Sequence, residues 1–111
     1  MLEKDDENAL VRDKWVRVMA DFCANGIWEK SGCAASLSDL PVHPDTIFTL
    51  GAWQHWHDAR KHDVPISNLE HFSALGRAIV WDIKRQLPDW TVIYHDEITG
   101  GDVVLGKLWL E

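Results

Sequence analysis

The chain is short of the residues from which chemistry is most easily read. Its 111 residues include two cysteines, four prolines and one tyrosine, and acidic side chains outnumber basic ones by 18 to 11. Cys23 and Cys33 lack the C-x-x-C spacing of a redox or zinc pair, and no basic, apolar, small-residue leader precedes them. The expectation is therefore a cytoplasmic protein with reduced thiols. No apolar run approaches the roughly 18 to 20 residues that span a bilayer, which argues against a membrane protein. The shortage of basic residues leaves a formal net charge of -7. That charge disfavours nucleic-acid phosphates and anionic membrane surfaces and favours a protein partner with a basic surface. There is no G-x-S-x-G turn, no phosphate loop of the G-x-x-x-x-G-K type and no aromatic-basic interleaving of the RNA-binding kind. Neither catalysis nor a cofactor is expected.

What is present is a length suited to one two-layered core and an unusual seven tryptophans. Buried indoles need a partner for the N–H, and part-exposed ones are common anchors at protein interfaces. The clearest local signal runs from Ser67 to Glu97. Ser67 and Glu70 have the spacing of a capping box, which predicts a helix start. Leu69, Phe72, Leu75, Ile79, Ile83 and Leu87 then form one apolar stripe, with Arg77, Asp82, Lys84 and Arg85 on the other side, until Pro88 stops the helix. Trp90 to His95 follows as a strand rich in β-branched and aromatic residues.

Before that unit, residues 1–14 read as a charged, solvated arm with one helical turn near Ala9 and Leu10, and residues 15–111 as a single domain. Val16, Val18, Ala20 and Phe22 alternate with Trp15, Arg17, Met19 and Asp21, the pattern of a half-buried strand. Residues 23–40 have turn signals at Asn25-Gly26 and Ser31-Gly32 and read as a loop or loose hairpin presenting Ile27-Trp28-Glu29, with Trp28 either plugging the core edge or meeting a partner. Pro44 begins a second helix. Ile47, Leu50, Trp53 and His57 make one stripe on it, and Phe48, Ala52 and Trp56 a second. The second stripe is either covered by the following helix or is an interface. After Glu97, Thr99-Gly100-Gly101-Asp102 is a hairpin turn into Val103-Val104-Leu105 and Leu108-Trp109-Leu110, with a bulge at Gly106. The predicted architecture is α+β: a small antiparallel or mixed three-stranded sheet with two helices on one face, in the order β-loop-α-α-β-β.

Among the histidines, His55 and His57 point about 200° apart on a helix, and only His55 with Asp58 is suitably spaced, so no metal site is expected. What remains is a surface. Asp21, Glu29, Asp58, Asp96, Glu97 and Asp102 lie at loop or element ends, with Trp28, Trp53 and Trp56 among them as possible anchors. Either they are solvated ends and core indoles, or they form an acidic rim around aromatic anchors suited to a cationic cleft.

These residues carry a resemblance. Val16 to Asp21 followed by Trp28, Leu40-Pro41-Val42 leading to Trp53-Gln54-His55-Trp56-His57-Asp58, and Phe72 to Ile79 followed by Leu87 to Tyr94 are together similar to small acidic bacterial proteins regarded as immunity proteins of polymorphic toxin systems. The similarity covers Val16 to Glu97. It implies a non-catalytic protein that binds and neutralises a toxin domain; the candidates for that contact, from the surface reading above, are Asp21, Trp28, Glu29, Trp53, Trp56, Asp58, Asp96 and Glu97. The alternative is a structural or adaptor module, homodimeric through the second stripe of the Pro44 helix.

Overall fold

A computed structural model of the protein describes residues 8–61 and 63–106. The helical turn near Ala9 is α1, Ala9–Asp13, started by the Asn8 side chain, which accepts from the Leu10 and Val11 amides. It buries Leu10. Strand β1, Trp15–Val18, follows directly, and β2, Ile27–Trp28, pairs with it antiparallel. Helix α2, Pro44–Asp58, and helix α3, Leu69–Gln86, then intervene before β3, Thr91–His95, and β4, Asp102–Leu105.

The sheet order is β2-β1-β3-β4, with β1 parallel to β3 and both outer pairs antiparallel. A parallel pair needs a long crossover, and the two helices supply it. The α+β class and the mixed sheet agree with expectation. The described residues nevertheless hold a fourth strand, and a third helix, α1, where only a single helical turn is expected in the charged arm. The fourth strand is β2, in the segment expected as a loop or loose hairpin, and the antiparallel pairing with β1 is the hairpin form: Ile27 is wholly buried and the Met19 amide donates to the Gly26 carbonyl at 3.0 Å. The predicted strand segment Leu108-Trp109-Leu110 lies outside the described residues, as does His62.

One face of the sheet is covered. Val16, Val18, Ile27, Val92 and Tyr94 share a core with Leu50 and Trp53 from α2 and Phe72, Ile79, Val80 and Ile83 from α3. Gly76 permits the closest approach. A Cβ there would lie 2.7 Å from the Tyr94 ring and 2.9 Å from Trp53. Overpacking of that kind costs about 1–3 kcal/mol, against at most about 1 kcal/mol that alanine would gain in helix propensity, so glycine is the stabler choice.

Two details of α3 correct the sequence reading. Its N-cap is Asn68, left-handed at φ 52° and without a side-chain cap bond. The expected Ser67–Glu70 box does not form, because the left-handed Asn68 leaves Ser67 outside the helix. The Ser67 carbonyl instead accepts the Trp56 Nε1 proton at 3.2 Å. Lys84, expected among the solvated charges, is wholly buried. Its ammonium donates to the Pro88 carbonyl at 2.9 Å and to the Trp90 carbonyl, tying the end of α3 to the start of β3. Desolvation lowers its pKa, with Asp89 acting in the opposite sense.

Candidate partner-binding surface

Because β1 and β3 run parallel, their carboxyl ends finish side by side, and the residues after them share one end of the domain. Asp21 follows β1, and Asp96 and Glu97 follow β3. The end of α2 joins them through Gln54, a buried residue that sequence reasoning did not single out. Gln54 Nε2 donates to the Asp21 carbonyl at 2.7 Å and to Asp58 Oδ1 at 2.8 Å, while its Oε1 accepts the Asp21 amide at 3.3 Å. Its only sequence signal is its position one turn before Asp58 on the side of α2 that holds Leu50 and Trp53.

Around Asp58 the contacts fix a tautomer. Arg60 can only donate, so at 3.1 Å His57 Nε2 accepts from it, and the ring proton on Nδ1 faces Asp58 Oδ1 at 2.9 Å. The Phe22 ring packs on His57 at 4.6 Å and carries the Arg60 guanidinium 5.1 Å from its centroid. Desolvation pushes the Asp58 carboxyl up, but hydrogen bonds from His57 and Gln54 outweigh it and its pKa falls below the usual carboxylate value.

Asp96 is held in a comparable way from the other side. Desolvation raises its pKa, but the Ile98 amide at 2.9 Å, the Ser73 hydroxyl at 2.9 Å and the Arg77 charge lower it further. Ser73 is itself buried, accepts from Arg77 at 3.0 Å and takes the Tyr94 proton on its carbonyl at 3.2 Å. Glu97 Oε2 lies 3.9 Å from His95 Nε2. His95 Nδ1 is 3.0 Å from Asp102 Oδ1, which Arg17 also reaches at 3.3 Å. An open depression of about 460 Å³, lined by Asn68, Leu69, Glu70, His71 and Ile98, adjoins this end where α3 begins.

The expected aromatic anchors do not gather in the same way. Trp53 is wholly buried, stacked on Phe72 at 4.8 Å, with its Nε1 donating to the Phe72 carbonyl at 3.0 Å. This corrects its expected place on the partner surface: an indole with no exposed area and a satisfied N–H holds the core together. Trp56 is half-buried, edge-on to Phe72 at 5.4 Å. Trp28 lies on the far side of the sheet. Strand register places it in a row with Arg17, Ile93 and Val104 on the face that the helices leave open, and its Nε1 donates to the Met19 carbonyl at 2.8 Å. Glu29, next along, is half-buried and accepts from the Ser31 hydroxyl at 3.0 Å. Asp21 and Asp58, joined through Gln54, and Asp96 and Glu97 after β3 thus share one end of the domain, Trp56 turns from α2 towards the start of α3, and Trp28 and Glu29 belong to another face.

Among the described residues no grouping of three His, Cys, Asp or Glu side chains could hold a metal ion, and no helix is long and apolar enough to cross a membrane. Cys23 and Cys33 are exposed and unpaired with each other. A family model described as Serratia CdiI immunity protein-like matches residues 14–97. That span runs from the start of β1 to Glu97 and stops short of β4. No curated protein matches the chain.

Proposed function

The chain belongs to the Serratia CdiI immunity protein-like family, and from that premise we propose that it is an immunity protein of the contact-dependent inhibition type. It binds a toxin domain in the cytoplasm and neutralises it without catalysis of its own. The observation that carries the reading is the placement of Asp21, Asp58, Asp96 and Glu97 at one end of the domain, where the β1–β3 pair finishes. Two of these carboxylates are held charged by several donors each. A net charge of -7 and an acidic end steer a basic partner, and half-buried Trp56, bonded to the Ser67 carbonyl where α3 begins, supplies the aromatic contact.

The experiment is to mix the purified chain with the purified toxin domain encoded by the neighbouring reading frame. The expected outcome is a complex of defined mass on size exclusion and protection of cells that express the toxin. Neither a complex nor protection would end the proposal.

One observation favours a second reading, a self-associating adaptor module. Phe48 on α2 is 78% exposed, with exposed Ala52 one turn on. A concentration-dependent dimer mass that Phe48→Ser abolishes would support it, and a monomer at all concentrations would dismiss it.

A further inference from the structure

The two edges of the sheet are treated differently by the chain. The outer edge of β2 is already occupied: the Ala35 amide donates to the Ile27 carbonyl at 3.0 Å, the Glu29 amide to the Cys33 carbonyl at 2.8 Å, and Trp28 bridges to Ala34. Beyond β4, no strand pairs among the described residues.

The direction of the β4 backbone groups follows from the register. The Thr91 amide donates to the Lys14 carbonyl at 2.9 Å, so alternate residues of β3, Thr91, Ile93 and His95, bond towards β1. Val92 and Tyr94 are left to bond towards β4, and the Asp96 amide, donating to the Gly101 carbonyl at 2.9 Å, keeps the same alternation. Their register partners are Leu105 and Val103. In an antiparallel pair the intervening residues face away, so Asp102 and Val104 direct both N–H and C=O outward. An exposed edge of this kind is a template for another strand.

The side chains say what would fit. Val103 and Val104 are 50% and 59% exposed, on opposite faces. On the helix side, Val103 continues the row Ile27, Val18, Tyr94 and borders a largely apolar cleft of about 50 Å³ lined also by Val80, Trp81, Tyr94 and Leu105, with Arg77 at its wall. At the hairpin end of the strand stand Asp96, Glu97 and Asp102, of which Asp102 already meets Arg17 at 3.3 Å while Glu97 lies no nearer than 3.9 Å to His95, and β4 itself contains no basic residue.

We infer that β4 is the docking edge for an extended cationic segment of the toxin domain, which adds as a fifth strand. It seats an apolar side chain beside Val103 and a lysine or arginine near Glu97 and Asp102. The inference rests on the toxin-binding reading above, and names the element that completes it. A second copy of this chain is the poorer occupant, because each copy brings a charge of -7 and the same acidic hairpin.

Amide hydrogen exchange on the full chain, alone and with the purified toxin domain, tests the inference without altering any residue. The Val104 amide should exchange readily in the free protein and roughly a hundredfold more slowly in the complex. Val104→Pro removes that outward donor without removing a bond to β3. It should weaken binding at least about tenfold while the melting temperature holds. A complex in which the Val104 amide is unprotected overturns the inference and leaves the immunity reading standing. Failure of the wild-type chain to form any complex overturns both. Concentration-dependent protection of Val104 in the chain alone overturns it in favour of self-pairing.

Discussion

Where α2 begins and α3 ends, carboxylates and amides are spent on one another; where α2 ends and α3 begins, they are turned towards the outside. At the first end Thr46, itself buried, donates to Asp82 Oδ2 at 2.6 Å and accepts from Gln86 at 2.8 Å. Gln86 in turn takes the His43 amide at 2.6 Å, and Arg85 reaches Asp82 Oδ1 at 3.1 Å. An open depression of about 450 Å³ lies among these residues; Thr46, Asp82 and Gln86 on its wall bond one another, and Asp45 at its rim stands in solvent. At the second end Asp58, Asp96 and Glu97 are positioned by donors from beneath and still present area to solvent. Similar residue types therefore serve different purposes according to whether the helix ends meet each other or meet the ends of parallel strands.

The sharpest way to separate the two ends is through Lys84 at the closed one. Lys84→Met keeps most of the side chain but leaves the Pro88 and Trp90 carbonyls without their donor, which should cost about 2–3 kcal/mol in a denaturant melt. Toxin binding by the folded fraction should be unchanged. If stability did not move, Lys84 would not be the tie between α3 and β3. Thr46→Val at the same end should cost less, about 1 kcal/mol, through two lost hydrogen bonds with shape preserved.

Acid probes the closed end through a single carboxylate. The Thr46 hydrogen bond is the main cause that lowers the Asp82 pKa, against desolvation that raises it. A carboxylate with a depressed folded pKa stabilises fully above its unfolded value of about 4, and that stabilisation is lost as pH falls through the folded value. Asp82→Asn should therefore flatten the fall in melting temperature between about pH 5 and pH 2. An unaltered acid limb would show that Asp82 ionisation contributes nothing to folding. The smallest stability effect should come from the open end, where Asp21→Asn with Glu97→Gln should change the melt by no more than about 0.5 kcal/mol.

How much of this was legible in the sequence depended on how cleanly each element separates its faces. In α3 the apolar stripe Phe72, Ile79 and Ile83 is buried as expected and Leu69, Leu75 and Leu87 pack beside it. Lys84 was misassigned because residue type outweighed position, although it lies on the same side of the helix as Val80 and Ser73. In α2 the signal is mixed at source. Its buried side includes Thr46, Gln54 and His57, while Phe48 and Ala52 face out. Its second apolar stripe is accordingly covered at Trp56 and open at Phe48. Strand β2 is two residues long; the turn signals at Asn25-Gly26 and Ser31-Gly32 mark a loose hairpin as one alternative, and the pairing with β1 and with Ala34 decides for it. The acidic residues could each be named, but their placement at one end required the parallel register of β1 and β3, a long-range fact. Trp53 could not be distinguished from Trp56 by spacing alone, because only the position of Phe72 decides which indole is enclosed.

The central claim is that charge at one particular end of the domain, and not net charge as such, guides a basic toxin domain to this protein. It is tested most directly by the association rate with the toxin domain encoded by the neighbouring reading frame, measured across salt concentrations for two charge-matched variants. One is Asp21→Asn with Glu97→Gln at the open end; the other is Asp45→Asn with Asp89→Asn at the closed end. Exposed charges act over roughly 8 Å at physiological salt, so the account predicts slower association and a flatter salt dependence for the first variant and near wild-type behaviour for the second. Equal slowing by both variants, or no slowing by the first, would contradict it.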